Sequence, residues 1–438
     1  MDEQKEKQEL EQTQTQGETD YIEYENDEFE NLQKKERSKG RKEGILISLL
    51  VVLTAVLLCL AVWAGKKLAD GTLLGTILKR SANSTEKVIT DGVEEKINVL
   101  KSAIDYYYLD KVSDEDLQNG LYKGLLEGLS DPYSVYYTEK EYNEMMEISG
   151  GTYFGIGAYL QQNAETMEIK VLRPIPGTPA EEAGLLPDDI LKEVDGEDIS
   201  SEDINVVVSK IKGEAGTNVR IGIKRAGEDE LLQLEMKRRE VEVITVEHEM
   251  LENKIGYIEI LEFDDVTTEQ FQTAYEDLQE QGMESLILDL RDNPGGNLDV
   301  VVKVADMLLP EGLIVYTQDK YGAKEEFLSD AGCFDKPMVV LVNGNSASAS
   351  EILAGAIKDY DAGTLLGTTT YGKGIVQQII PLGDGTGIKL TVSKYYTPSG
   401  KNIHEIGIEP DEILEFDYDA YEKDETDNQF DRAIELLK

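Results

Sequence analysis

"MVVLVNGNSASASEILAGAIKDY", residues 338 to 360, decides the reading of the fold. Met338 to Val342 form an unbroken apolar run of the length of a buried strand. A turn of small and polar residues follows. A helical stretch then opens at Ser348, with Glu351 three residues on, the S-x-x-E spacing of a capping box. Strand, tight turn and helix in that order is the unit from which α/β sheets are built. It is also good geometry for an exposed hydroxyl. A helix start offers unpaired backbone N–H groups and the positive end of the dipole, and both stabilise an oxyanion. From this stretch alone two readings stand: Ser348 caps a helix, or Ser348 is a nucleophile.

The pattern repeats on both sides. "KIGYIEIL" and "SLILDL" read as strands around the helix "TTEQFQTAYEDLQEQG", and "GTLLGTTT" is a strand or turn. "IVQQIIPL" and "GIKLTVSKYYT" read as a strand pair, so residues 241–438 form an α/β region with a mixed sheet. Residues 150–240 differ, with short strands and Pro/Gly turns. There "SEDINVVVSKIKG" reads as a helix capped by Ser201, and "GTNVRIGIKRAG" with "LLQLEMKRREV" as a hairpin. Within residues 66–149, a linker gives way to helices. Val93, Ile97, Leu100 and Ile104 recur near helical spacing, and Ser113 caps a second helix whose first turn carries Asp114, Glu115 and Asp116. "DPYS", 131 to 134, reads as a turn.

Residues 1–43 have no apolar period and read as a disordered tail, ending in a basic cluster of Lys34, Lys35, Arg37, Lys39, Arg41 and Lys42. "GILISLLVVLTAVLLCLAVWAG", Gly44 to Gly65, carries no charge. At the rise of an α-helix it covers about 33 Å, enough for the hydrocarbon layer. Its length and the long segment before it favour an uncleaved transmembrane anchor over a cleavable signal. The basic cluster places the tail in the cytoplasm and the remainder outside the cell membrane.

Composition narrows the function classes. With 43 basic and 88 acidic residues the net charge is −45, which argues against nucleic acid as a partner, because phosphate binding needs a basic face. Cys59 and Cys333 are too far apart for a CxxC metal site, and no acidic stretch has calcium-loop spacing, so no metal is expected. No G-x-S-x-G or H-E-x-x-H occurs, "GIGAYL" does not complete G-x-G-x-x-G, and the S-x-x-K at Ser209–Lys212 lies in a charged helical stretch.

His248 and His404 are the only histidines, so a serine nucleophile here needs another base, and lysine is the usual one. A lysine serves only when neutral, which burial promotes by disfavouring the ammonium form. In "TTTYGKGIVQQII" Lys373 stands between glycines, and the nearest acids in sequence, Asp361 and Asp384, are each more than ten residues away. The alternative is an exposed lysine in a glycine turn. Gln377, four residues on, is near enough to hold an amine by a neutral hydrogen bond. "LDLRDNPGGNLD", 288 to 299, ends a strand in glycines, where backbone N–H groups can approach a ligand or simply form a tight turn.

Taken together, "DPYSVYYTEKEY", "FGIGAYL", "GTPAEEAGLLPDDILKEVDG", "LDLRDNPGG", "NSASASEILAGAIKD", "TYGKGIVQ" and "TPSGKNIHEIGIEPD" resemble the C-terminal processing peptidases, or tail-specific proteases. These are serine peptidases with a PDZ domain. The resemblance covers nearly all of residues 90 to 415. It implies an α/β, crotonase-like protease core at 241–438, with an inserted PDZ domain at 150–240. It implies Ser348 as nucleophile, Lys373 as general base and Gln377 as its support. The backbone N–H groups of Gly296 and Ala349 would be the oxyanion donors, with Ser346 and Ser350 in packing roles. Asn345 stands where many relatives have another small residue, with no consequence expected. The PDZ domain would take a substrate's free C-terminal carboxylate on the loop Phe154, Gly155, Ile156 and Gly157. The expected activity is cleavage of proteins near their C-terminus, without metal or organic cofactor. In some relatives helical segments pair between chains, so a homodimer is compatible with residues 86–149 and 425–438. The competing reading is a membrane-tethered PDZ adaptor that binds C-termini without cutting, and a binding module has no use for the Ser, Lys and Gln set.

Overall fold

The computed structural model describes residues 88–330 and 332–438. The tail, the apolar run 44–65 and the linker up to residue 87 lie outside the described residues. No helix among the described residues is long and apolar enough to cross a membrane. The elements that concern function belong to one compact unit, residues 96–380 and 384–438.

Its centre is a six-stranded sheet. Val246–Met250 pairs antiparallel with Ile255–Ile260, and from there Ser285–Asp289, Met338–Val342, Thr364–Gly367 and Glu412–Ile413 follow side by side, all parallel. Ser285–Asp289 and Met338–Val342 are buried along their whole length. That is why they read as continuous runs rather than alternating ones. The helices Thr267–Glu280, Leu298–Leu308 and Ala349–Asp359 turn their apolar sides inward, and Phe271, Leu278, Val301, Val304, Leu353 and Ile357 meet the sheet residues Leu286, Leu288 and Val340 in one core. A second sheet joins Val135–Tyr137, Gly387–Tyr396, Gly312–Asp319 and Lys324–Ser329, with Ile375–Pro381 paired to Gly387–Tyr396.

Three consecutive members of the central sheet run in the same direction. Their carboxyl ends therefore lie side by side, and each leads into one of the quoted motifs: residues 290–297, 343–348 and 368–374. In open α/β sheets this edge is where ligands bind.

A smaller domain is inserted before the central sheet begins. Its entry strand Thr152–Gly155 pairs antiparallel with its exit strand Arg239–Glu242. Between them Ala158–Gln162, Ile169–Pro174, Ile190–Val194, Asn218–Lys224 and Leu232–Lys237 form their own antiparallel sheet, with its own core of Val171, Leu191, Val207, Val219 and Ile221. The hairpin read at Asn218–Lys224 and Leu232–Lys237 is present. The helix before it starts later than expected, at Ile204, and Asp203 rather than Ser201 caps it, accepting from the Asn205 N–H. Residues 199–202 close a turn of their own through Glu202 N–H to the Ile199 carbonyl, so the helix cannot begin until the next good cap.

Candidate active site

The three alternating serines have two different surroundings. Ser346 Oγ donates to the Leu290 carbonyl at 2.7 Å, and Ser350 Oγ donates to the Asn293 carbonyl at 3.0 Å; both residues are fully buried. These two hydroxyls stitch the helix start to the 290–297 loop. Ser348, between them, is only half-buried. Its backbone has φ 53° and ψ −110°, outside the left-handed helical well and far from an ordinary cap conformation. A non-glycine residue held there stores strain of order 1–3 kcal/mol, which surrounding contacts must hold in place.

Those contacts are visible. The Ser348 carbonyl accepts the Tyr395 hydroxyl at 3.1 Å, and the N–H groups of Glu351 and Ile352 at 3.0 Å each. Its N–H donates to the Glu351 carboxylate at 2.9 Å. The same carboxylate oxygen accepts the Lys373 N–H at 2.8 Å, while the other accepts Thr370 Oγ1 at 2.6 Å and the Gly372 N–H at 2.7 Å. Glu351 is completely buried. One carboxylate thus bolts the Ser348 turn to the Lys373 loop. Charge-assisted bonds of this kind are the stronger ones.

Lys373 is half-buried between two buried glycines. Its Nζ lies 4.7 Å from the centre of the Tyr133 ring, and among the described residues no carboxylate is within ion-pair distance of it. Burial, first, and the nearby Lys389 push its pKa below the ordinary lysine value; Glu351 and Asp131 pull weakly the other way. The amine is thereby held closer to its neutral, proton-accepting form.

The glycine loop closes the third side. Gly295 has φ 102°, and a side-chain carbon there would lie 2.7 Å from the Ala347 carbonyl, 2.8 Å from the Ala349 nitrogen and 2.8 Å from Ser348 Cβ. Only glycine allows that approach. Gly296 (φ 143°) is likewise packed on the Phe263 backbone. Neither the Gly296 nor the Ala349 N–H donates to another group among the described residues. Buried Asn293 sets the loop: it donates to the Ile260 carbonyl at 2.7 Å, accepts the Gly295 N–H at 2.8 Å, and takes the Ala347 N–H on its own carbonyl at 3.0 Å.

Ser348, Ala349, Lys373 and the Gly295–Gly296 loop are therefore brought together. Gln377 sits on the strand after Lys373, where its amide donates to Thr391 Oγ1 at 3.3 Å rather than to the lysine amine. Phe154, Gly155, Ile156 and Gly157 lie in the inserted domain and share no hydrogen bond with this cluster. Gly157 (φ 79°) abuts Thr178, and the N–H groups of Ile156 and Gly157 donate to no other group among the described residues. Several contributors were not visible in the sequence. Glu351 was legible only as a cap, and Asn345 as neutral, yet the Asn345 amide donates to Asp292 at 2.7 Å and ties two loops. Tyr133, Tyr395 and Asn293 gave no signal beyond an aromatic or polar residue in a motif. Among the described residues no cluster of His, Cys, Asp and Glu could hold a metal ion.

Comparison with known proteins shows the family. A profile described as peptidase family S41 matches residues 254–414, one for the PDZ domain matches 158–225, and one for the N-terminal domain of the activating protease CtpB matches 59–141. A carboxyl-terminal-processing protease of Synechocystis sp. is 35% identical over 320 residues, 72% of this chain and 75% of that protein. The chain belongs to the carboxyl-terminal-processing proteases of peptidase family S41. The carboxy-terminal processing protease CtpA of Bacillus subtilis is 36% identical over 322 residues, 73% of this peptidase and 68% of that one. Among solved structures, a photosystem II D1 C-terminal processing protease shares 30% identity over 72% of this chain and 86% of its own, with a TM-score of 0.43. By its family and domain matches this peptidase is a serine hydrolase with an α/β catalytic core and an inserted PDZ domain.

Proposed function

We propose that the chain is a membrane-anchored endopeptidase that cuts protein substrates near their C-terminus by a Ser348/Lys373 mechanism. The neutral Lys373 amine takes the Ser348 proton as Oγ attacks the scissile carbonyl. The Gly296 and Ala349 N–H groups receive the oxyanion, Lys373 then protonates the leaving amine, and water releases the acyl group. Gln377 steadies the amine once substrate is bound. The observation that carries this reading is one buried carboxylate, that of Glu351, which fixes both the strained Ser348 turn and the loop of an amine that has no carboxylate partner among the described residues.

The PDZ domain recognises the substrate's free carboxylate on the loop 154–157, where the uncommitted N–H groups of Ile156 and Gly157 support the assignment. The uncharged run Gly44–Gly65 holds the enzyme in the membrane, with the basic cluster on the cytoplasmic side and the catalytic domain outside.

The test is cleavage, by the full-length protein in detergent, of a reporter protein with an apolar C-terminal tail. Ser348→Ala and Lys373→Ala are each expected to lose at least about 10³-fold in kcat. Retained cleavage in either variant contradicts the assignment.

A further inference from the structure

The turn Asp131–Ser134 belongs to no part of the mechanism above, yet it is built against the lysine. Asp131 organises it: its carboxylate accepts the Tyr133 N–H at 3.0 Å and the Ser134 hydroxyl at 2.6 Å. Buried Ser134 in turn accepts the N–H of Thr391 at 3.1 Å, and Thr391 is the residue whose hydroxyl takes the Gln377 amide. The next residues, Val135–Tyr137, pair with Gly387–Tyr396, Val135 facing Lys389. The turn is thus locked onto the strand that flanks Lys373 and Gln377. What it presents there is the Tyr133 ring, with Lys373 Nζ 4.7 Å from its centre. The Tyr133 phenol pKa is pushed up to about 12, first by the neighbouring Tyr371 hydroxyl and then by burial.

We propose that Tyr133 is a positioning residue for the general base: its ring face gives the Lys373 amine a place to rest and keeps water from it. The proposal rests on Lys373 being that base. A carboxylate in the same place would hold the amine but charge it. A phenol ring holds it through the attraction of its π face while leaving it desolvated. The two effects oppose each other in pKa. The ring attracts the ammonium form, whereas exclusion of water disfavours it; since burial outweighs the other influences on Lys373, exclusion wins. The groups that face the amine besides the ring are Lys389 on the strand Gly387–Tyr396, Glu351 on the helix Ala349–Asp359 and Asp131 in the turn, with His404 next to Asp131 and Tyr371 next to Tyr133.

The experiment is the pH dependence of kcat and KM for the full-length enzyme carrying Tyr133→Phe, Tyr133→Leu and Tyr133→Ala, with Lys373→Ala alongside. Tyr133→Phe keeps the ring and should stay within about threefold of the parent in kcat. Tyr133→Ala admits water, so the acid limb should move to higher pH and kcat should fall by about tenfold or more at neutral pH, with KM changed by less than about threefold. Tyr133→Leu keeps water out but lacks a π face, so kcat should fall by about threefold to tenfold without an upward move of the limb. An unmoved acid limb in Tyr133→Ala, whatever its kcat, overturns the proposal while leaving the role of Lys373 intact. If Tyr133→Ala does not fold, parent-like kcat in Tyr133→Leu overturns it, and a fall that Tyr133→Phe does not share supports it. An active Lys373→Ala removes the base reading and the proposal with it.

Discussion

At Ser348 the chain accepts a backbone conformation that nothing but its surroundings would sustain, φ 53° and ψ −110°, and Tyr395 and Glu351 hold it there from two sides. At Lys373 it accepts a second burden, an amine partly taken out of water without a carboxylate to receive it. Both are unfavourable for folding, and both fit the proposed Ser348/Lys373 mechanism. The lysine makes a prediction with a definite sign. In the unfolded chain it has its ordinary pKa near 10.4, while in the folded chain it is lower. Between the two values the unfolded chain binds a proton that the folded one does not, so stability rises with pH across that window and is lowest below it. Lys373→Met removes the amine. The variant should melt above the parent at pH 7, and the difference should shrink as pH rises toward the ordinary lysine range; a lower melting temperature for Lys373→Met contradicts the argument. The isolation of Lys373 from acids along the chain was legible in the sequence, because no Asp or Glu stands within ten positions of it on either side. The role of Glu351 was not. A capping-box glutamate and a glutamate that joins two distant loops look alike until the second loop is folded against the first.

At the scale of elements, the site depends on three loops leaving three adjacent parallel strands. The apolar runs of the first two strands and the small-residue turns after them were readable, since a strand covered on both faces cannot alternate, whereas Thr364–Gly367 read only as a strand or turn. Strand order was not readable, because pairing between residues 285–289, 338–342 and 364–367 is non-local and leaves no periodic trace. Local capping was also only partly legible. Ser200, Ser201 and Asp203 are all good caps, and the closed turn at 199–202 decided among them. Gly295 is where the glycine loop meets the Ser348 turn: its missing side chain is matched by the Ala347 carbonyl, the Ala349 nitrogen and Ser348 Cβ, all under 3 Å from where a methyl would stand. Gly295→Ala is therefore expected to lose at least about a hundredfold in kcat and about 1–3 kcal/mol of stability. Denaturant unfolding and the reporter assay check the two parts. An alanine variant with parental kcat shows that the loop can move away without consequence for the oxyanion site.

For the whole molecule, the PDZ domain enters and leaves through paired strands, Thr152–Gly155 with Arg239–Glu242. The junction is fixed to the core by the Asp265 N–H on the Ser149 carbonyl at 3.2 Å and the Val243 N–H on the Gly151 carbonyl at 2.8 Å. The proposed tail capture and the hydrolysis are then carried by one chain, and the proposed anchor keeps both at a membrane. Removal of residues 44–65 should shift the protein from the membrane fraction to the soluble one while leaving kcat on a soluble reporter within about twofold, since no site residue lies in that segment. Protein still in the membrane fraction after this deletion refutes the anchor.

The central claim is that Ser348 becomes nucleophilic because a neutral Lys373 takes its proton. Stoichiometric labelling of the full-length enzyme by a serine-reactive phosphonate, located by peptide mass spectrometry and followed against pH, measures this directly. The account predicts label on Ser348 alone, a labelling rate that climbs with pH along the acid limb of kcat, and near-complete loss of labelling in Lys373→Met. Equal labelling of Ser348 in Lys373→Met, or label on a different serine, contradicts it.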